Sequence, residues 1–274
     1  MFEKVSKHHP DKIADRIAGA IVDLAYAESD YPKIAVEVLI GHGVCHIICE
    51  TSVSFDEDAI NDVVWRIAGD VKVDYVEVPQ DEKLSKNQEH GVRCGDNGIF
   101  LGVPESEEEG TLTSLAEAMD DRFNADGKYL IDDEAKELVV CQSWAKTPEI
   151  ERTIAEEGLS GYSAKINPLG PWSGGTGVDT GATNRKIGSD MGQSATGGGL
   201  HGKDLSKADV SVNIFCHATA QTTQDVVEAI CAIGDDSVRV NGRLIPYQEI
   251  VDFARDYIKA VGGFEKFAEY GLLS

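Results

Sequence analysis

The stretch from residue 161 to residue 210 has the composition of an anion-binding loop. Twelve of the 28 glycines lie between Gly161 and Gly202. The stretch carries a net charge of +1, whereas the rest of the chain carries −24. Its basic residues are Lys165, Arg185, Lys186, Lys203 and Lys207. Because glycine lets backbone amides approach an anion and adjacent cations neutralise it, the stretch is predicted to bind a phosphate-containing ligand.

Residues 197–203 (GGGLHGK) match the first part of a P-loop. A P-loop requires Ser or Thr after its lysine, but Asp204 stands there. No clear apolar strand leads directly into the loop either. A P-loop phosphotransferase is therefore the less favoured alternative.

His9, Pro10, Asp11 and Lys12 stand where the apolar period predicts the start of a helix. Helix N-termini attract anions through unpaired amides. His9 and Lys12 could donate to phosphate oxygens, and Asp11 could hold a divalent cation. The alternative is that His9 and Asp11 only cap the helix.

Two further carboxylates, Glu37 and Glu50, lie among apolar residues on a predicted β-hairpin. A carboxylate among apolar neighbours is costly unless it meets a cation or an amine. The alternative is that both side chains point outward from a half-exposed sheet. Residues 95–98 (GDNG) are predicted to form a turn.

The elements that would position these residues are predicted by hydrophobic periodicity. A helix from Pro10, a hairpin of strands 33–40 and 44–53, a helix over 56–67 and a strand over 71–78 form one unit. Similar patterns follow after residues 97 and 208. This alternation predicts an α+β fold of three units. The predicted division is an N-terminal subdomain 1–78, a polar loop 79–94, a central subdomain 95–160 and a C-terminal subdomain 161–274.

Composition restricts the possible partners. The formal net charge of the 274 residues is −23, which argues against binding nucleic acid or an anionic membrane. No apolar run is long enough to cross a bilayer. The six scattered cysteines favour a reduced, cytoplasmic protein over a disulfide scaffold.

Four segments in order resemble one family, the S-adenosylmethionine synthetases (methionine adenosyltransferases). They are residues 3–15 (EKVSKHHPDKIAD), 95–98 (GDNG), 174–186 (GGTGVDTGATNRK) and 197–209 (GGGLHGKDLSKAD). The resemblance implies three similar α/β subdomains around a pseudo-threefold axis. It implies ATP and L-methionine as substrates, Mg²⁺ and K⁺ as cofactors, and a homodimer with active sites between the subunits.

The resemblance also implies roles for individual residues. The ATP ligands would be His9, Asp126, Lys128, Trp172, Asp179, Arg185, Lys186 and Lys203, with His9, Lys203, Arg185 and Lys186 acting in catalysis. The methionine ligands would be Glu50, Gln80, Asp96, Asp179 and Lys207. The metal ligands would be Asp11 and Asp209 for Mg²⁺ and Glu37 for K⁺. An alternative alignment replaces Asp126 and Lys128 by Glu134 and Lys136.

The sequence also departs from the family pattern. His8 stands where the family has glycine, the loop before Gly91 is short for the family's gating loop, and the chain is shorter than usual members. The function expected is S-adenosylmethionine synthesis followed by tripolyphosphate hydrolysis. The alternative is a non-catalytic nucleotide-binding or oligomerising relative.

Overall fold

The residues described by the computed structural model, 1–87 and 91–273, form three four-stranded sheets with helices packed against them. The helices are α1 (Pro10–Glu28), α2 (Glu57–Ala68), α3 (Glu82–Asn87), α4 (Glu107–Phe123), α5 (Thr147–Glu156), α6 (Ile187–Met191), α7 (Ala208–Thr223), α8 (Tyr247–Val261) and α9 (Phe264–Tyr270). The strands are β1 (Phe2–Val5), β2 (Ile34–Gly41), β3 (Val44–Thr51), β4 (Lys72–Pro79), β5 (Gly98–Gly102), β6 (Gly127–Asp132), β7 (Glu137–Gln142), β8 (Ser163–Ile166), β9 (Thr180–Ala182), β10 (Val227–Cys231), β11 (Ser237–Val240) and β12 (Arg243–Pro246).

One local pattern, helix–hairpin–helix–strand, recurs along the chain. It is α1-β2-β3-α2-β4 in the first unit and α4-β6-β7-α5-β8 in the second, and the last strand of each lies parallel to its neighbour. In the third unit, β12 follows β11 directly through the turn at Asn241 and Gly242 and pairs with it antiparallel. The predicted α+β class with three units is therefore confirmed.

Each sheet takes its remaining strand from a distant part of the chain. The N-terminal sheet has the order β9-β2-β3-β4, the central sheet β1-β6-β7-β8 and the C-terminal sheet β5-β10-β11-β12. The contiguous divisions 1–78, 95–160 and 161–274 therefore do not follow the sheets. Hydrophobic periodicity predicts local pairing. These three strands, of four, five and three residues, instead pair with strands more than 120 positions away in the chain.

The strongest local predictions are confirmed. Strands β2 and β3 form the expected antiparallel hairpin, with Gly41 opposite Val44. The predicted helix over 56–67 is α2. The loop predicted over 79–94 contains the short helix α3, and its residues 88–90 lie outside the described residues.

The buried apolar side chains form two clusters within the described residues. The larger one is shared by the N-terminal and C-terminal sheets and by α1, α7 and α8. A separate cluster lies under the central sheet against α4 and α5. No helix among residues 1–87 and 91–273 has the length and apolarity that a bilayer crossing needs.

A buried lysine connects the first strand to the end of the described chain. The ammonium of Lys4 in β1 donates to the backbone carbonyls of Ser189, Tyr270 and Leu273 at 3.0, 3.0 and 2.7 Å. Burial lowers the pKa of Lys4 to about 7. Three acceptors satisfy the three ammonium protons, which is the condition under which a lysine can be buried.

Helix α9 packs directly on the backbone of α1. A Cβ at Gly19 would lie 2.6 Å from the carbonyl oxygen of Phe264. The Asp23 carboxylate accepts hydrogen bonds from the Phe264 and Glu265 amides at 2.8 and 2.9 Å, which caps the start of α9. The two helices can approach this closely only because residue 19 has no side chain.

We expect Gly19→Ala to lower the free energy of unfolding by about 1–3 kcal/mol, because the new methyl group meets fixed backbone. The matched control is Gly110→Ala in α4, where the added Cβ has ordinary space. There the better helix propensity of alanine should stabilise the protein by up to about 1 kcal/mol. Urea unfolding of both variants measures the difference, and equal stabilities would contradict the proposed close approach of α9.

Candidate active site

The N-terminus of α1 is capped by His9, as one of the two sequence interpretations predicts. The Nδ1 atom of His9 accepts a hydrogen bond from the Asp11 amide at 3.2 Å, and Pro10 occupies the first helical turn. Burial lowers the pKa of His9 to about 4, so the imidazole is neutral at pH 7. With Nδ1 accepting, the ring proton is on Nε2, and His9 acts toward a ligand as a neutral donor.

Asp11 is buried at the point where β9 crosses the start of α1. Its Oδ1 accepts a hydrogen bond from the Ala182 amide at 2.9 Å. A Cβ at Gly181 would lie 2.0 Å from the Pro10 carbonyl, so only glycine permits this crossing. Arg185 Nη1 lies 3.6 Å from Oδ1 and Lys186 Nζ 3.7 Å from Oδ2. The predicted basic pair is therefore held beside the helix N-terminus.

Lys12 does not take the predicted role of a phosphate donor. Its side chain is fully buried, and Nζ lies 2.7 Å from Asp190, 3.1 Å from Asp15 and 3.4 Å from His201 Nε2. Burial alone lowers the pKa of Lys12, but the two carboxylates outweigh it and raise that pKa. Lys12 is therefore an internal cation of the fold.

The grouping of Asp15, Asp190 and His201 has the donor atoms of a metal site. The ammonium of Lys12 already lies between these atoms and neutralises the carboxylates. Burial favours the protonated carboxyl, but Lys12 and His201 together hold the pKa of Asp190 well below its usual range. The residues present therefore do not fit a metal ion at this position.

A cavity of about 440 Å³ opens beside His9 between the central sheet and residues 167–172. Polar and apolar side chains both line it. The polar lining consists of His9, Asp126, Lys128, Asn167 and Asp179, and the apolar lining includes Leu130, Pro168, Leu169, Pro171 and Trp172. Such a combination suits a ligand with a flat apolar part and a charged part.

The loop residues around the cavity are held by specific hydrogen bonds. Trp172 is 36 % exposed, and its indole Nε1 donates to Asn167 Oδ1 at 3.1 Å. The Gly175 amide donates to Asp126 at 2.8 Å, but burial outweighs this bond and raises the pKa of Asp126 to about 6. Asp179 is exposed and accepts from the Thr180 amide at 2.7 Å.

The two candidate alignments at the cavity differ in their position. Lys128 lines the cavity and pairs with Glu3 at 2.8 Å, and Glu3 also lies 4.0 Å from Lys186. Lys136 lies in the turn between β6 and β7, beside Asp133 and away from the cavity lining. The position of Lys128 therefore favours the Asp126 and Lys128 alignment. Glu3 was not among the predicted site residues, because the motif that contains it was interpreted through His9 and Asp11.

A second group of predicted residues surrounds the start of α7. Lys203 Nζ lies 2.5 Å from the buried Asp209 carboxylate in the first turn. Lys207 is the N-cap residue, and the Gly95 amide donates to the Ser206 carbonyl at 3.0 Å, which brings the turn with Asp96 next to this helix. We call Asp96, Lys203, Lys207 and Asp209 the α7 group. Since α7 begins five positions after Lys203, the loop does not have P-loop geometry.

The hairpin carboxylates lie outside the cavity. Glu37 and Glu50 are exposed on the outward face of the N-terminal sheet, opposite Ile48 and Ala35 respectively. The Glu37 carboxylate accepts a hydrogen bond from the Thr183 hydroxyl. Gln80 follows β4, and its buried Oε1 has no hydrogen-bond partner within residues 1–87 and 91–273. A single chain therefore does not bring these three predicted ligands to the cavity.

Asn184 is a structural residue that the sequence interpretation missed. The backbone amide of Asn184 donates to Asp15 at 2.7 Å. Its side-chain Oδ1 accepts from the His201 backbone amide at 2.8 Å, and its Nδ2 donates to the His201 carbonyl at 3.2 Å. Its φ is 62°, a left-handed conformation that asparagine tolerates better than most residues. Asn184 thus fastens the loop that carries Lys203 to the loop that carries Arg185. An asparagine directly before a basic pair in glycine-rich sequence was the available signal.

The N-terminal segment and the fold are similar to those of known proteins. Residues 1–87 match the family model described as S-adenosylmethionine synthetase, N-terminal domain. The chain is also similar to a solved structure described as an unusual S-adenosylmethionine synthetase from Campylobacter jejuni. The TM-score is 0.72 at 19 % sequence identity, over 99 % of this chain and 94 % of that chain. The resemblance seen in the four motifs is thus confirmed in the fold.

We expect Asn184→Gly to loosen the two loops without changing their backbone conformation, because glycine also adopts positive φ. The loss of two side-chain hydrogen bonds should lower the free energy of unfolding by about 1–3 kcal/mol. Hydrogen exchange of the His201 amide should become faster. Asn241→Gly, at another positive φ in the β11–β12 turn, is the matched control and should leave that amide unchanged. Unaltered protection of the His201 amide in Asn184→Gly would contradict the role of Asn184 as a clamp between the two loops.

Proposed function

We propose that this chain, which has the S-adenosylmethionine synthetase fold and matches that family's N-terminal domain over residues 1–87, is an ATP-dependent methionine adenosyltransferase. The observation that supports this most is the position of His9, which lines a cavity together with Lys128 and Trp172 and is followed two residues later by Asp11. The Arg185 and Lys186 cations lie within 3.7 Å of the Asp11 carboxylate. The lining of the cavity thus combines a cation (Lys128), a neutral donor (His9) and an apolar surface. A nucleoside triphosphate has the complementary chemistry.

The proposed reaction requires stabilisation of a leaving group more than acid–base catalysis. The methionine sulfur attacks C5′ of the ribose, the C5′–O bond breaks, and its electron pair leaves with the triphosphate. The sulfur becomes a sulfonium, and no proton is transferred in this step. Preorganised donors act where the negative charge develops. The neutral His9 Nε2–H and the cations of Arg185 and Lys186 are suited to this role.

The two ends of ATP would bind different parts of the cavity. The Trp172 ring and the apolar residues near it provide a surface for adenine. Asp126 and Lys128 provide charged groups in the lining, where ribose and phosphate would be held. Asp179 also lines the cavity and could contact both substrates.

Two aspartates have the donor atoms that Mg²⁺ prefers. Asp11 Oδ2 and Asp209 Oδ1 accept no hydrogen bond from the part of the chain that the structure describes. Mg²⁺ uses few protein carboxylates and completes its coordination with phosphate oxygens and water. When bound, it would neutralise the triphosphate. For K⁺, the Glu37 carboxylate and the Thr183 hydroxyl offer adjacent oxygens.

We also propose that the active site is completed across a homodimer. No described lining residue of the cavity belongs to the α7 group. The outward faces of the sheets expose large apolar side chains, including Leu39, Ile48 and Val76 on the N-terminal sheet and Ile99 and Ile230 on the C-terminal sheet. Contiguous exposed apolar surface is typical of protein interfaces. Glu50 and the α7 group of one subunit would then supply the methionine side of the partner's cavity.

Incubation of the chain with ATP, methionine, Mg²⁺ and K⁺ should yield S-adenosylmethionine with pyrophosphate and phosphate, measured by mass spectrometry and phosphate release. Lys203→Ala should lower kcat by about 10²–10³-fold, because one cation is lost where charge develops. Lys136→Ala, an exposed lysine outside the cavity lining, is the control and should keep wild-type activity. Thermal unfolding of both variants separates catalysis from folding. ATP binding without any sulfonium product would instead favour the non-catalytic relative.

Mixing two inactive variants tests the shared site. Arg185→Ala and Lys203→Ala should each be inactive, but after subunit exchange they should recover about one quarter of the wild-type rate. Half of the dimers would be mixed, and one of the two sites in each would carry no substitution. No recovery, although subunit exchange is demonstrated by native mass spectrometry, would show that both residues serve a site within one chain.

A further inference from the structure

Two cysteine thiols lie in contact beneath the turn that carries Asp96. Cys94 precedes this turn, and Cys231 is the last residue of β10. Their sulfur atoms are 2.9 Å apart, and the residues are 137 positions apart in the chain. Both side chains are buried, with 0 % and 6 % exposure. The reaction proposed above uses neither thiol.

Backbone hydrogen bonds fix the two segments beside each other. The Cys94 amide donates to the Asp235 carbonyl at 2.9 Å, and the Gly234 amide donates to the Cys94 carbonyl at 2.8 Å. Cys231 pairs with Gly98 in the C-terminal sheet. A disulfide bond is about 2.0 Å long, so the sulfur atoms would have to approach by about 1 Å. The segments that carry them are already in place.

The other buried cysteines differ from Cys94 and Cys231 in position and in pKa. Cys45 and Cys49 are four residues apart on β3, which puts their Cα atoms about 13 Å apart, beyond the reach of a disulfide. Burial raises the pKa of Cys45, Cys49 and Cys216 to about 12. The hydrogen bond between Cys94 and Cys231 instead lowers the pKa of Cys94. Since the thiolate is the nucleophile, Cys94 is the thiol of this pair that attacks first.

We propose that Cys94 and Cys231 form a site of reversible oxidation, at which a low-molecular-weight disulfide converts the two thiols into an intramolecular disulfide. The Cys94 thiolate attacks one sulfur of the small disulfide and releases one thiolate. Cys231 then loses its proton and attacks Sγ of Cys94, which releases the second thiolate. The protein loses two electrons and two protons, and the small disulfide becomes two thiols.

Access to the pair requires only local opening. Asp96 and the turn residues 232–236 cover the thiols and are exposed to solvent. The thiols contact the Asp96 carbonyl oxygen, at 3.0 Å from Cys94 and 3.6 Å from Cys231. Formation of the bond would draw Cys94 Sγ away from this oxygen and shift the Asp96 turn. If the proposed function holds, oxidation should raise KM for methionine several-fold, with a smaller change in kcat.

The experiment treats the full, folded chain with oxidised glutathione, blocks the remaining thiols with iodoacetamide after denaturation, and maps the peptides by mass spectrometry. The expected product has one bond between Cys94 and Cys231, four alkylated cysteines and full reversal by dithiothreitol. The variant Cys231→Ser should be unable to form the bond, and Cys45→Ser, another buried cysteine, should form it normally. Chemical mapping needs no activity, so it remains decisive if the proposed function fails.

Six alkylated cysteines after prolonged oxidation, or a bond between other cysteines, would overturn the proposal. So would a linkage that appears only after the chain is denatured, because it would not depend on the folded contact. If the disulfide forms but leaves KM for methionine unchanged, the predicted coupling to the Asp96 turn is wrong. Thermal unfolding of Cys231→Ser verifies that its failure to form the bond is not a failure to fold.

Discussion

The buried charges around Lys12 are the interaction on which the candidate site depends. Lys12 comes from α1, Asp190 from α6 and His201 from the glycine-rich loop, the three segments that also carry the candidate phosphate ligands. Removing one partner of a buried ion pair leaves an uncompensated charge and costs about 3–5 kcal/mol. Separation of the three segments would therefore cost a large part of the folding free energy. The positions of Arg185 and Lys203 are set by charges that lie beneath the surface and never touch a ligand.

The pairing of each sheet with a strand from a distant part of the chain also holds distant segments together. Each four-stranded sheet is built on a local hairpin, and its remaining edge is covered by β1, β5 or β9 from elsewhere in the chain. An uncovered edge would expose unpaired backbone groups and invite aggregation. Strand β9 does more than cover an edge, because Gly181 and Ala182 also contact the start of α1. The pairing that completes the N-terminal sheet thereby positions Asp11.

The distribution of charge resolves how so acidic a protein can present an anion site. The net charge of −23 is spread over most of the chain, whereas the glycine-rich stretch is slightly basic. A general negative field disfavours long polyanions such as nucleic acid. Over a few ångströms, however, the electrostatic field that a small bound anion experiences is set mainly by the nearest cations. Arg185 and Lys186 stand within 3.7 Å of Asp11, so the proposed triphosphate and its metal would meet both signs of charge.

The parts of the fold that depend on near neighbours can be predicted from the amino-acid sequence. The β2–β3 hairpin, helix α2 and the His9 cap each follow from spacing within about 20 residues. The sequence also located the loops that carry Arg185 and Lys203, because glycine and basic residues concentrate there. The internal position of Lys12 depends on long-range packing, since its partner Asp190 is 178 positions away. The pairing of β1, β5 and β9 with distant strands and the hydrogen bonds of Asn184 also depend on long-range packing. Their contacts join distant segments and produce no periodic pattern in the sequence.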